Sequence, residues 1–218
     1  MSLNARLSLV VVAVFVAVVG ALALTSAAGR DTPAPVTGDA ASELLVRADS
    51  HRLAQPDEPE AVFVEFLDFE CESCRAAFPA VEQLREDYGD RVEFVVRYFP
   101  IPSHANAENA AVAVEAAAQQ GAFEAMYARM FQTQAEWGER RESEAGRFRT
   151  FAQDLGLDMA AYDAAVADPD TLARVQRDLA DGTALGVDGT PTFFLDGERL
   201  QPQSYDDLTE SLDGALRD

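Results

Sequence analysis

The chain has 218 residues, 48% hydrophobic and 25% charged, enough for one sizeable core of ordinary globular composition. Its 38 acidic residues against 17 basic ones give a formal net charge of −21, which argues against binding nucleic acid or docking on an anionic membrane surface. Two cysteines are too few for a disulfide framework, and every basic residue is arginine, as a GC-rich genome or adaptation to salt would produce.

Residues 7–24 read LSLVVVAVFVAVVGALAL, a run without charge that follows Arg6. At about 1.5 Å per residue, such a helix approaches the thickness of a bilayer core. Positive charge before it, and Arg30-Asp31 after it, put the N-terminus inside and the rest outside. The run exceeds the apolar core of a signal peptide, about 7–15 residues. The expectation is therefore an uncleaved signal anchor over 1–29, transmembrane at about 7–28. The alternative is a secreted protein, cleaved after Ala23 or Ala28. Either way the remainder works outside the cytoplasm, where disulfides persist.

Residues 30–58 are rich in Ala, Pro, Thr, Gly and Asp and read as a flexible tether, with room for a short helix at 42–50. A domain over 59–218 follows. It opens with a strand at 62–69 and a helix at 71–88 that Pro79 should kink. The alternating RVEFVVRYF at 91–99 is a second strand, ended by Pro100 and Pro102. From 103 to 181 there is no strand pattern. Ala-rich helical runs appear instead at 106–120, 123–134, 144–155, 159–167 and 171–185, broken at Gly121, Trp137-Gly138, Gly156 and Asp168-Pro169. Phe148, Phe151 and Leu155 recur at core-face spacing, and Trp137 is expected to pack inside this block. Residues 190–195 form a short strand, Asp196-Gly197 turns a hairpin into 198–200, and a last helix spans 204–216.

Cys71-Glu72-Ser73-Cys74 sits directly after the first strand. A C-x-x-C that closes a strand and opens a helix is the layout of a dithiol redox site. Two intervening residues, wound as a first turn, bring the sulfurs within bonding reach. The first thiol then faces the unpaired N–H groups and the dipole of the helix N-terminus, which favour thiolate. By itself the motif leaves a metal site or a buried structural cysteine open. Glu65 lies mid-strand, six residues before Cys71, in a run apolar on both sides. A carboxylate there is unfavourable unless paired or protonated. Desolvation should raise its pKa and let it exchange a proton with Cys74. An outward-facing glutamate on an edge strand is the alternative, because periodicity does not assign faces in such a run.

The order of elements, the C-x-x-C after the first strand and the later Gly189-Thr190-Pro191-Thr192-Phe193-Phe194 resemble thioredoxin-fold proteins of the DsbA type. The chain is most similar to the membrane-tethered DsbA-like thiol-disulfide oxidoreductases of bacteria, over about 59–216. The resemblance implies an α/β thioredoxin fold with an all-helical subdomain inserted over about 103–181, preceded by an N-terminal transmembrane helix. It implies Cys71 as nucleophile and Cys74 as resolving thiol. It supports Glu65 as proton exchanger, because the matching position carries Asp or Glu. It also implies a cis bond between Thr190 and Pro191 beside the dithiol, with the Thr190 backbone pairing with an extended substrate.

The function it implies is extracytoplasmic thiol-disulfide exchange on exported proteins that carry cysteines. No cofactor beyond the Cys71–Cys74 pair, no metal and no nucleic acid are expected. An unidentified recycling partner, in the membrane or a small thiol, is needed because no second C-x-x-C is present. One departure concerns the dipeptide: Glu72-Ser73 stands where DsbA-type sites commonly have proline then histidine. With Asp68 and Glu70 upstream, negative charge should disfavour the Cys71 thiolate and make a weaker oxidant, near about −200 mV and not about −120 mV. Oxidase, isomerase and reductase directions all stay open. Two other classes compete. One is a chaperone whose redox activity is incidental. The other is a zinc site of Cys71, Cys74, His51 and His104, against which the histidines lack H-x₃₋₅-H spacing and His51 falls in the tether. His104, ahead of the first inserted helix, is expected to be structural or capping.

Overall fold

The computed structural model describes residues 38–217, so the expected anchor at 7–28 and the tether up to residue 37 lie outside the described residues. Among the described residues no helix is long and apolar enough to cross a membrane.

Two strands carry the architecture. β2 (Ala61–Leu67) and β3 (Val92–Tyr98) pair in parallel, joined by α2 (Glu72–Tyr88). Both are almost continuously apolar, as strands covered on both faces must be. β1 (His51–Ala54) is antiparallel to the outer edge of β3. β4 (Thr192–Leu195) runs antiparallel to β2, and β5 (Glu198–Arg199) to β4, for the order β1-β3-β2-β4-β5. The β4–β5 turn places Asp196 at φ 49° and Gly197 at φ 88°, the doubly positive pair that a tight hairpin requires.

Strand alternation divides the core in two. Phe63 and Leu67 pack with Cys74, Val81 and Leu84 of α2 and with the inserted helices. Val64 and Phe66 face the opposite side, against α1 (Asp39–Leu45) and the C-terminal end of the helical block. Glu65, in phase with Phe63 and Leu67, therefore belongs to the α2 side. This decides the question that periodicity left open. β2 is a central strand, and Glu65 is 3% exposed.

Between β3 and β4 lie α3 (Ala107–Ala118), α4 (Phe123–Trp137), α5 (Ala145–Asp154), α6 (Met159–Ala167) and α7 (Pro169–Ala184); α8 (Tyr205–Ala215) closes the chain. Asp158 caps α6 by accepting from the N–H groups of Ala160 and Ala161, and Asp168 caps α7 with Pro169 in the first turn. Trp137 is fully buried edge-on to Phe148, with ring centroids 4.8 Å apart. α7 runs beyond the expected end of the insertion at 181 and returns to the sheet, where Asp178 accepts from the Tyr98 N–H at 3.1 Å. α2 continues through Pro79.

The tether expectation needs correction, since Asp39–Leu45 is a helix and His51–Ala54 a strand. Leu45 and Leu53 are buried at 3% and 8% exposure, and Arg47 forms a two-bond pair with Asp181 of α7. Two apolar anchors and one buried-facing cation hold this segment. Its Ala- and Asp-rich composition hid them.

Candidate active site

The end of β2 builds the site. Asp68 accepts the Cys71 N–H on its carbonyl at 3.1 Å and the Glu70 N–H on its carboxylate at 2.8 Å, a tight turn that brings Cys71 to the N-cap of α2. Gln134 of α4, 2% exposed, donates to the carbonyls of Phe69 and Cys71 at 2.7 and 2.8 Å and so fixes this turn against the insertion. Cys71 is 8% exposed and Cys74, one turn on, is sealed at 0%; neither is in a disulfide. The Thr190–Pro191 peptide bond is cis, and the Cys71 thiol donates to the Thr190 carbonyl at 3.3 Å.

The two thiols are pushed apart. Cys71 is lowered to about 5, chiefly by a hydrogen bond from the Cys74 thiol. Burial opposes the shift, while Thr190 and the N–H groups of Cys74 and Ser73 add to it. Cys74 is driven well above the ordinary thiol range by burial, then by its bond to Cys71 and by the charge of Glu65. Such a pair supplies a nucleophile that is thiolate at neutral pH and a partner that needs a base.

Glu65 is the carboxyl whose charge acts on Cys74. Burial, then the charges of Glu82 and Cys71, raise it to about 8. Its cross-strand neighbours are Val96 on β3 and Phe193 on β4, and its Oε2 has no hydrogen-bond partner among the described residues. A carboxyl titrating near neutrality and coupled to Cys74 can carry a proton to or from that sulfur.

The acidic residues around the motif do not crowd the nucleophile as a count of charges suggests. Asp68, 1% exposed, accepts from the N–H of Ile101 at 3.0 Å and from His104 Nδ1 at 2.6 Å as well as from Glu70. Burial still leaves its pKa raised. Glu70 is 2% exposed and turned toward the insertion, accepting from the N–H groups of Asn106 at 2.6 Å and Glu139 at 3.1 Å. Asn106 extends this brace by donating to the carbonyls of Arg140 and Glu142. Among Asp68, Glu70 and Glu72, only Glu72 is exposed. A cleft of about 420 Å³ opens beside Cys71, lined by Glu72, Ser73 and His104 together with Glu139, Arg140 and Arg141. Burial disfavours the charged His104, but the Asp68 bond and charge outweigh it and its pKa is raised, with help from Cys71.

The structure thus brings together Cys71, Cys74, Glu65, Thr190 and Pro191, with Glu72 and Ser73 on the rim. It does not gather the four residues of a zinc site. His51 lies in β1, bonded to Glu115 at 2.6 Å and stacked on Phe123, while His104 is held by Asp68. Among the described residues no group of His, Cys, Asp and Glu is arranged to hold a metal ion. His104 is not a helix cap, because Asn106 occupies the N-cap of α3. Gln134 and Asn106 were invisible to sequence reasoning, as polar residues within helical runs.

A sequence model of the family described as Thioredoxin matches residues 56–214. The chain is 38% identical over 154 residues to a protein of Herminiimonas arsenicoxydans described as the Na(+)/H(+) antiporter NhaA, covering 71% of this chain and 23% of that one. It therefore spans about a quarter of that curated relative's length. A thioredoxin-like oxidoreductase from Silicibacter pomeroyi DSS-3 superposes with a TM-score of 0.67 at 26% identity, covering 88% of this chain and 99% of the other. Wolbachia pipientis alpha-DsbA1 superposes with a TM-score of 0.67 at 18% identity over 81% and 96%.

Proposed function

The chain belongs to the thioredoxin family, and we propose that it is a thiol-disulfide oxidoreductase acting through Cys71 and Cys74 on extracytoplasmic proteins. One observation carries the reading. A thiol lowered to about 5 stands at the N-cap of α2, on the rim of a cleft, over a sealed second thiol one turn away. In exchange, the Cys71 thiolate attacks a disulfide sulfur of the substrate and one substrate thiolate leaves. Cys74 then gives up its proton, attacks Cys71 Sγ and releases the second substrate thiolate. The two cysteines lose two electrons and the substrate disulfide gains them. The same steps in reverse oxidise a substrate dithiol.

Glu65 takes the role of proton exchanger for Cys74. Thr190 and Pro191, against Cys71, form the floor on which an extended substrate segment lies. Glu72 and Ser73 tune the potential. A Cys71 pKa of about 5 falls between those of strongly oxidising and reducing members of this chemistry, about 3.5 and about 7. This supports a potential near about −200 mV. The uncharged run at 7–24 supports export, with the domain held at the outer face of a membrane or released after cleavage. The match within a longer chain named for sodium–proton antiport is consistent with a membrane setting.

The test is catalytic. Cys71→Ser should reduce turnover of a peptide disulfide more than about 1,000-fold, and Cys74→Ser should accumulate mixed disulfides through Cys71. A glutathione equilibrium gives the potential, and a value as oxidising as about −120 mV would reject the tuning by Glu72 and Ser73. Full function in cells of both variants would favour a chaperone instead.

A further inference from the structure

The backbone that carries the nucleophile is held by the inserted helices, and the bonds run in both directions. Gln134, in the last turn of α4, donates from its amide nitrogen to the Phe69 carbonyl at 2.7 Å and to the Cys71 carbonyl at 2.8 Å. The amide has one orientation here, because its oxygen would repel both carbonyls. Glu70 returns the contact. Its carboxylate accepts the N–H of Glu139, two residues past the end of α4, at 3.1 Å and that of Asn106 at 2.6 Å. Glu139 takes φ 60°, a left-handed conformation that a charged residue keeps where surrounding bonds dictate it. Asn106 fastens the same stretch, donating to the carbonyls of Arg140 at 2.9 Å and Glu142 at 3.1 Å and accepting the Glu144 N–H at 2.8 Å.

Gln134 is buried on a helix whose other buried residues include Met130, Phe131 and Trp137, where an amide is unfavourable unless its bonds are made. The same helix also seats the turn by packing, with the Phe69 ring 5.2 Å from that of Phe131 and 6.1 Å from that of Tyr127. The Cys71 carbonyl accepts the Arg75 N–H at 3.1 Å as well, the first bond of α2, so both of its lone pairs are engaged. Two donors from different elements fix the peptide plane that follows Cys71, itself extended at φ −69° and ψ 122°. The N–H groups of Ser73 and Cys74, which bond the Cys71 sulfur, belong to the turn that this plane begins. First-turn N–H groups have no partner within the helix, so their direction depends on what holds the turn.

We propose that Gln134 is a positioning residue of the exchange site: by holding the carbonyls of Phe69 and Cys71 it aims the first-turn N–H groups of α2 at the Cys71 sulfur, so that the helical insertion tunes the nucleophile. This assignment rests on the reading of Cys71 as the exchange nucleophile. Gln134 acts on the sulfur through the backbone alone. Charged and titratable groups surround Cys71: Cys74 and Glu72 of α2, Glu65 of β2, Asp68 and Glu70 of the turn, His104 after β3, and Glu139, Arg140 and Arg141 after α4. From the β4 side comes the uncharged Thr190 carbonyl. Gln134→Met alters none of these charges, keeps the length of the side chain and removes its donors. A change in Cys71 thiolate in that variant therefore reads position and not charge.

Alkylation of the reduced full-length protein by iodoacetamide reads the Cys71 thiolate, because Cys74 is sealed. In Gln134→Met the pH profile should move to higher pH. Alkylation should be about 5-fold slower than wild type at pH 5, where a weakened N–H bond to the thiolate counts most, and equal at pH 9. Gln134→Asn, which keeps the donors on a shorter arm, should move the profile the same way by less. Phe148→Leu, a packing loss in α5, should lower the denaturant midpoint of unfolding and leave the alkylation profile in place. A merely structural role for Gln134 would give that pattern. A wild-type profile in Gln134→Met, or in Gln134→Asn should the first variant not fold, would overturn the assignment, as would a Phe148→Leu profile shifted equally far. A wild-type protein whose Cys71 alkylates with the profile of an ordinary thiol would instead reject the exchange site itself, and this inference with it.

Discussion

Two charged side chains lie in adjacent registers of the sheet and on opposite faces, and the protein treats them oppositely. Arg97 of β3, 0% exposed, donates to Asp178 at 2.7 Å, Asp181 at 2.6 Å and the carbonyls of Leu44 and Leu45 at 2.5 and 2.7 Å. Arg47 and Arg174 complete the network around the two aspartates. Glu65 of β2 faces the α2 side with one oxygen unbonded and apolar neighbours across both strands. The paired charge ties α1, β3 and α7 together. The unpaired one keeps its proton to about pH 8. Buried charge that is paired with opposite charge builds architecture, and buried charge left without an opposite partner is available for chemistry.

The sharpest way to break the comparison is at Arg97. Arg97→Leu leaves Asp178 and Asp181 buried with only Arg174 and Arg47, and should destabilise by about 3–5 kcal/mol at pH 7. Denaturant unfolding measures this, and the Cys71 alkylation profile should not move. On the acid side, burial opposes ionisation of Asp181, but the bonds from Arg47 and Arg97 outweigh it and hold its pKa below the usual carboxylate range. Its contribution is therefore present above the unfolded pKa and lost as pH falls through the folded one. The variant should keep only the part of that acid limb that Arg47 supports.

At Glu65 the sign reverses. A folded pKa of about 8 lies above the unfolded value, so the favourable contribution is complete at low pH and is lost as pH rises to about 8. Glu65→Gln should therefore be more stable than wild type by up to about 4 kcal/mol at pH 9 and nearly equal at pH 4. Taking the difference from wild type removes the opposite trend from the low thiol of Cys71. The smallest effect is expected at His104, which sits on the cleft with a raised pKa. His104→Gln should slow alkylation of Cys71 at pH 5 only about 2-fold, by removing a nearby positive charge. No change would mean that the Asp68–His104 pair serves the loop alone.

The helices and central strands were legible because their signals are local. Apolar β-branched and aromatic runs mark β2 and β3, and Gly and Asp-Pro breaks separate the inserted helices. β1 was not legible. Four residues with one buried leucine form a strand only because β3 offers an open edge. The acidic flank misled for a related reason. Asp68 and Glu70 read as charge near Cys71, yet their oxygens are consumed by backbone donors and His104 that come from distant parts of the chain.

By itself, the sequence determined the order of elements, the C-x-x-C at a strand–helix junction, the out-of-place Glu65 and the later Thr-Pro. Covalent spacing and hydrophobic period are properties of the chain alone. Only the tertiary structure decided which face of β2 holds Glu65, and that no cross-strand cation answers it while Arg97 is met by two aspartates. Charge pairing and burial depend on what the fold brings across the sheet, over separations such as the 81 residues between Arg97 and Asp178 that no local pattern records.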